Sequence, residues 1–96
     1  MSLLKPLNPP ITDWQGRSVW LIGASSGIGL ATAKALHAAG ARVVVSARKA
    51  ELLQQFVDGH PGAQAVVLDV SDAAAIAEAA KYVHAQQGLD VVMYCA

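Results

Sequence analysis

Val19-Trp20-Leu21-Ile22-Gly23-Ala24-Ser25-Ser26-Gly27-Ile28-Gly29 is the stretch whose reading decides the fold. Four continuously apolar residues run into a glycine-rich turn, and a pattern with helical spacing opens directly behind it. A short apolar run without alternation reads as a strand buried on both faces. The apolar positions Ile28, Ala31, Ala35 and Ala39 suit one face of a helix, and Gly40 supplies the stop. Strand, tight glycine turn and helix therefore follow one another with no linker between them.

The same unit repeats along the chain. Val43-Val44-Val45 predicts a second strand, and Lys49 to Asp58 a helix with Leu52, Leu53, Phe56 and Val57 on one side. Gly59-His60-Pro61-Gly62 breaks that helix. Val66-Val67-Leu68 predicts the third strand. Ser71 is the expected N-cap of an alanine-rich helix from Asp72 to Gln87, with Ile76, Ala80 and Val83 on one face. Val91-Val92-Met93-Tyr94 is the fourth strand. Strands alternating with helices imply an α/β protein with a parallel sheet. Residues 1–16 read as an irregular lead-in, because Pro6, Pro9 and Pro10 resist helix and central strand alike. Within it, Asp13-Trp14-Gln15-Gly16 reads as a turn, with Trp14 covering the edge of the core.

Composition agrees with a layered core and excludes several function classes. Of the 96 residues, 54% are apolar and 15% charged, a balance opposite to that of disorder. Seven basic and seven acidic residues cancel without forming a charge run, so neither nucleic acid nor an anionic membrane surface is an expected partner. Cys95 is the single cysteine, which rules out an intrachain disulfide. His37, His60 and His84 are scattered without a second thiol or a carboxylate at ligand spacing, so no metal site is expected. No signal peptide and no apolar run of membrane-helix length is present, which makes a soluble cytoplasmic protein the expectation.

The glycine loop carries the chemistry. Gly23 can take backbone angles that side chains forbid, Gly27 lets phosphates approach the backbone, and Gly29 lets the helix start pack closely on the strand. The free N–H groups and positive dipole end of the helix then face an anion, and Ser25 and Ser26 can add hydroxyl donors. A lone glycine pattern would be compatible with a bare tight turn. Strand before, helix after and a β-α-β unit around it favour the diphosphate of a dinucleotide.

The spacing Gly-x-x-x-Gly-x-Gly, with Ser25-Ser26 inside it and Ile28 between the last two glycines, resembles the classical short-chain dehydrogenase/reductase family over residues 16–96. That family carries Thr-Gly-x-x-x-Gly-Ile-Gly. Ile22 stands in the threonine's place, a change expected to alter local packing more than phosphate binding. The resemblance implies a Rossmann-type doubly wound parallel sheet of strand order 3-2-1-4 in a three-layer αβα arrangement, formed by residues 17–96. It implies an oxidoreductase that moves a hydride between a nicotinamide cofactor and a small carbonyl or alcohol substrate, and a homo-oligomer.

The end of the second strand bears on which nicotinamide cofactor is held. An NAD site usually places a carboxylate there for the ribose 2′-OH. Here Val45-Ser46-Ala47-Arg48-Lys49 contains no acid, and Arg48 can pair with a 2′-phosphate. The expectation is an NADP(H) preference, with NAD(H) still possible, although Arg48 and Lys49 also suit a solvated turn. Asp69 and Val70 resemble the family's pair at the adenine ring, and Asp69 would equally begin the turn before Ser71. The fourth strand of the family ends in Asn-Asn-Ala-Gly. Tyr94 and Cys95 replace both asparagines, Ala96 agrees, and the backbone of Cys95 and Ala96 is left as the expected cofactor contact. Cys95 has no adjacent base and is not expected to act as a nucleophile.

No catalytic residue is assigned. The family's serine and its Tyr-x-x-x-Lys would come later, and neither Tyr82 nor Tyr94 has a lysine four residues on. The chain is thus expected to be the cofactor-binding half of a longer protein and inactive alone. The alternative is a non-catalytic NADP-binding sensor of the same fold. A Rossmann-type methyltransferase is disfavoured by the longer first glycine gap and by Arg48, since a methyl donor has no 2′-phosphate.

Overall fold

The computed structural model describes residues 13–24 and 27–94. Its elements run β1 (Ser18–Ile22), α1 (Gly27–Ala38), β2 (Arg42–Ser46), α2 (Ala50–Gly59), β3 (Gln64–Ala65), α3 (Ala73–Gln87) and β4 (Val91–Tyr94). The four strands form one sheet in the order β3-β2-β1-β4, and every pairing is parallel. This is the expected doubly wound arrangement.

Alternation along the strands divides the core into two layers. Val19, Leu21, Val43 and Val45 face one side, where Ala33 and Leu36 of α1 and Leu53 and Phe56 of α2 cover them. Trp20, Ile22 and Val44 face the other, under Ala79 and Val83 of α3. With helices on both faces, β1 has no side that meets water, and all five of its residues are buried. That is why its sequence is apolar without alternation. Ile22, in the place of the family's threonine, is one of these core residues.

A buried strand must also satisfy its polar groups, and Ser18 does so at the start of β1. Its N–H donates to the Asp90 carboxylate at 2.8 Å, its C=O accepts from the Asp90 N–H at 3.0 Å, and its hydroxyl accepts from Gln87 Nε2 at 2.6 Å. These bonds fix where β4 starts along β1, giving the register Val19↔Val91 through Ile22↔Tyr94. On the same rim, Trp14 and Arg17 close the expected turn, with the Arg17 N–H donating to the Trp14 C=O at 3.0 Å. The half-buried Trp14 ring packs against the α1-side core, as its position in the sequence suggested.

Three local expectations need correction. The face of α1 against the sheet is Gly29, Ala33 and Leu36, whereas Ile28, Ala31, Ala35 and Ala39 are exposed. The helix is made almost wholly of small and apolar residues, so several stripes qualify by periodicity. The chosen stripe puts Gly29 and Ala33 at the closest approach. The second correction concerns β3, which covers Gln64–Ala65 rather than Val66–Leu68. Val66 and Leu68 nevertheless go on donating to the carbonyls of Val45 and Ala47, at 2.9 and 3.1 Å. The segment is an outer strand whose side chains alternate, Val67 exposed and Leu68 buried. The third concerns α3, which is capped by Asp72, whose carboxylate accepts from the Ala75 N–H at 3.1 Å. Ser71 is turned back toward Asp69 instead.

The stripe on α1 is open to a direct check. Leu36→Ala should cost about 2–5 kcal/mol, as truncation of a buried leucine does. Ala38→Gln, on the solvated side, should stay within about 0.5 kcal/mol. Urea denaturation of both variants makes the comparison, and equal costs would contradict the assigned face.

Candidate functional site

Parallel strands place all their C-terminal ends on one rim of the sheet. That rim gathers Gly23, at the end of β1, with the start of α1, Ala47 and Arg48 after β2, Asp69 and Val70 after β3, and Tyr94 of β4. Chain order reverses between β1 and β4: β2 and β3 lie on one side of β1, and β4 on the other. In open α/β sheets a crevice for ligands forms at that reversal.

The turn after β1 is built on two glycines with left-handed backbone, Gly23 at φ +91° and Gly27 at φ +61°. The entry of the turn is held by β2. The Ser46 carbonyl accepts from the Gly23 N–H at 2.7 Å and from the Ala24 N–H at 3.1 Å. Gly27 opens α1, and a Cβ built on it would meet no atom within 4 Å. The space beside that backbone is thus open, at the positive end of a helix of 12 residues. No acidic residue sits in the first turn of α1 to occupy it. Gly29, two residues further in, is on the buried face of the helix, as close packing on the sheet requires. This open cradle of backbone fits the diphosphate of a dinucleotide. Ser25 and Ser26, expected to add hydroxyl donors, lie outside the described residues, as do Cys95 and Ala96.

Ile28 points away from the sheet. It is 85% exposed and lines an apolar groove of about 540 Å³ with Trp14, Ala31, Ala35 and Met93 along the flank of α1.

The opposite side of the rim carries the charge. Ala47, where the NAD-type pattern leads one to expect a carboxylate, is buried. Arg48 is exposed beside it. Asp69 lies close enough to Arg48 to feel its charge, but its principal partners are local. Its Oδ1 accepts from the Ser71 hydroxyl at 2.7 Å and the Ser71 N–H at 2.9 Å. The Ser71 side-chain bond, and after it the Ser71 backbone bond, hold the Asp69 carboxyl below its ordinary value; desolvation opposes them, and the Arg48 guanidinium adds the smallest lowering effect. Asp69 therefore does begin the turn that leads to α3, and the Asp72 N–H closes that turn on the Asp69 carbonyl at 2.9 Å. Val70 is partly exposed just beyond it.

Ser46 is the residue on this rim that the sequence pattern did not single out as part of the site. The available signal was a hydroxyl ending an otherwise apolar run, Val43-Val44-Val45-Ser46, in a strand covered on both faces. Among the described residues, no group of three or more His, Cys, Asp or Glu side chains is placed to hold a metal ion. No helix among them is long and apolar enough to cross a membrane.

The fold is that of a Rossmann-like α/β protein. The chain belongs to the short chain dehydrogenase family, whose model matches residues 17–96. The family is one of oxidoreductases and implies a nicotinamide cofactor. L-xylulose reductase of Bos taurus is 46% identical over 57 residues, which are 59% of this chain and 23% of the relative. A short chain dehydrogenase structure from Bacillus anthracis superposes with a TM-score of 0.80 at 27% identity, over 88% of this chain and 36% of that one. The structure of an actinorhodin polyketide ketoreductase with NADPH gives a TM-score of 0.77 at 30% identity, over 83% and 33%. The chain thus spans between 23% and 36% of the length of these relatives.

The Asp69 turn gives a test by titration. A carboxylate with a lowered pKa stabilises the fold fully above its unfolded value, and that contribution is lost as pH falls through the folded value. Ser71→Ala removes the largest cause, so the Asp69 carboxyl should titrate at a higher pH, closer to its ordinary 3.8. Carboxyl carbon NMR across acidic pH measures this, and an unmoved midpoint would contradict the assigned cause.

Proposed function

We propose that this chain is the cofactor-binding part of an oxidoreductase that prefers NADP(H) and moves a hydride between the nicotinamide and a carbonyl or alcohol substrate. The observation that carries the preference is the pairing at the end of β2. Buried Ala47 occupies the place for a ribose-binding acid, and exposed Arg48 stands next to it. The NADPH in the related ketoreductase structure supports the same reading.

Each residue group has a distinct task. The Gly23–Gly29 loop and the start of α1 receive the diphosphate, with Ser25 and Ser26 as added donors and Ile28 flanking the helix start. Arg48 pairs with the 2′-phosphate. Asp69 and Val70 border the adenine, Asp69 already oriented by Ser71. The backbone of Cys95 and Ala96 borders the cofactor beyond β4. When bound, the cofactor supplies the hydride donor or acceptor, which no side chain of this chain provides. Residues 1–96 contain no Tyr-x-x-x-Lys, so proton transfer belongs to residues outside them. The proposal includes a cytoplasmic homo-oligomer as the working form.

Calorimetry on the full encoded protein tests the preference, and NADPH should bind more tightly than NADH. A charge-assisted hydrogen bond contributes about 1.5–3 kcal/mol. Arg48→Ala should therefore weaken NADPH about ten- to a hundredfold while changing NADH little. Equal or tighter NADH binding by the unsubstituted protein would sink the preference.

The activity is tested by NADPH oxidation with a panel of carbonyl compounds. Turnover by the full encoded protein and none by residues 1–96 alone is the expected result. Cofactor binding without turnover by the full protein would replace the enzyme with a sensor of the same fold.

A further inference from the structure

We propose that Trp20 and Ser46 form a buried positioning pair that sets the Gly23–Ala24 backbone for the cofactor's diphosphate, serving NADP(H) and NAD(H) alike. The inference rests on the cofactor-binding reading above and adds two residues to it. Neither belongs to the glycine pattern or to the charged end of β2.

The pair joins the core to the rim. Trp20 lies inside β1 with 1% of its surface exposed, packed with Ala79 and Val83 of α3. Its Nε1–H donates to the Ser46 hydroxyl at 2.8 Å, and Ser46 is fully buried. A buried indole N–H needs an acceptor, and an apolar residue at position 46 would offer none. The same serine accepts with its carbonyl from both Gly23 and Ala24. A carbonyl oxygen has two lone pairs, and the loop entry takes up both. One residue is therefore tied by its side chain to the packed interior and by its backbone to the loop.

The consequence follows from the cost of an unpaired donor. If the Ser46 hydroxyl is removed, the indole N–H loses its partner in a dry layer. Trp20 or the end of β2 must then shift to relieve it. Any shift of Ser46 moves the carbonyl that anchors Gly23 and Ala24. The diphosphate is common to both dinucleotides, whereas the 2′-phosphate, facing Arg48, is not. Loss of the pair should therefore weaken both cofactors by one factor, unlike loss of Arg48.

The test uses the full encoded protein, with Kd for NADPH and NADH measured calorimetrically below the unfolding temperature. Ser46→Ala should weaken both by the same factor, about three- to tenfold, and Ser46→Thr should restore most of it by keeping the hydroxyl. In the unsubstituted protein, the Trp20 indole N–H resonance should shift when NADPH is added, Trp20→Phe serving to assign the signal. Should Ser46→Ala fail to fold, Trp20→Phe takes its place in the calorimetry with the same expected equal loss. Unchanged Kd values beside a lowered Tm overturn the proposal and leave the pair a packing feature only. An indole resonance indifferent to saturating NADPH, or a loss confined to NADPH, overturns it too. If the unsubstituted protein binds neither cofactor, the functional reading itself fails and the positioning role falls with it. That outcome is distinct from equal Kd values with and without the hydroxyl, which overturn the positioning role alone.

Discussion

The structure depends on the burial of β1. Five consecutive residues lie out of water, with a strand on each edge and helices over both faces. Each of its backbone groups must be paired within the protein, because an unpaired polar group there would cost more than a typical hydrogen bond returns. Parallel neighbours β2 and β4 meet that demand, and parallel neighbours require helical crossovers. The glycine turn follows from the same constraint. A chain leaving a strand buried on both faces must turn at once to pack its helix back on the sheet, and residues at positive φ make the turn short enough.

Much of this was legible in the sequence, for reasons specific to each segment. β1 and β2 show as apolar runs because strands flank them on both edges and helices cover both faces, which demands apolar side chains, and β4 shows as one although Val92 and Tyr94 are exposed; the spans found differ from those expected by at most one residue at either end. β3 lies at the outer side of β2 and carries only half that demand, so Val66 and Val67 drew the reading two residues too far along the chain. In α1, Gly-Ile-Gly-Leu-Ala-Thr-Ala-Lys-Ala-Leu-His-Ala offers apolar groups in nearly every direction. Periodicity then has no single stripe to find, and the small residues Gly29 and Ala33 decide the packing. Ser71 and Asp72 are adjacent residues of equal capping ability. Which one caps α3 depends on where the other is spent, and Asp69 takes Ser71.

The candidate site was legible as a motif and less so as a network. Gly23, Gly27 and Gly29 announce a close approach by their spacing. The link between Trp20 and Ser46 spans 26 positions and becomes visible only once Ile22 is seen opposite Ser46. Asp69 illustrates the converse. Its place directly after the third predicted strand suggested a ligand contact, and its carboxylate is engaged in shaping the turn before α3.

The bonds of Ser18 with Asp90 and Gln87 lie at the opposite end of the sheet from the glycine loop. The clasp that sets the register of β4 is thus separated from the loops by the full length of β1. Selection can act on the two ends almost independently. At the far end, the three hydrogen bonds of Ser18 set where β4 starts along β1. The near end is released from registering the strands, so its loops are free to diverge in length and chemistry while the sheet beneath them stays the same. A scaffold divided in this way can acquire new specificities by altering one rim without renegotiating its own stability.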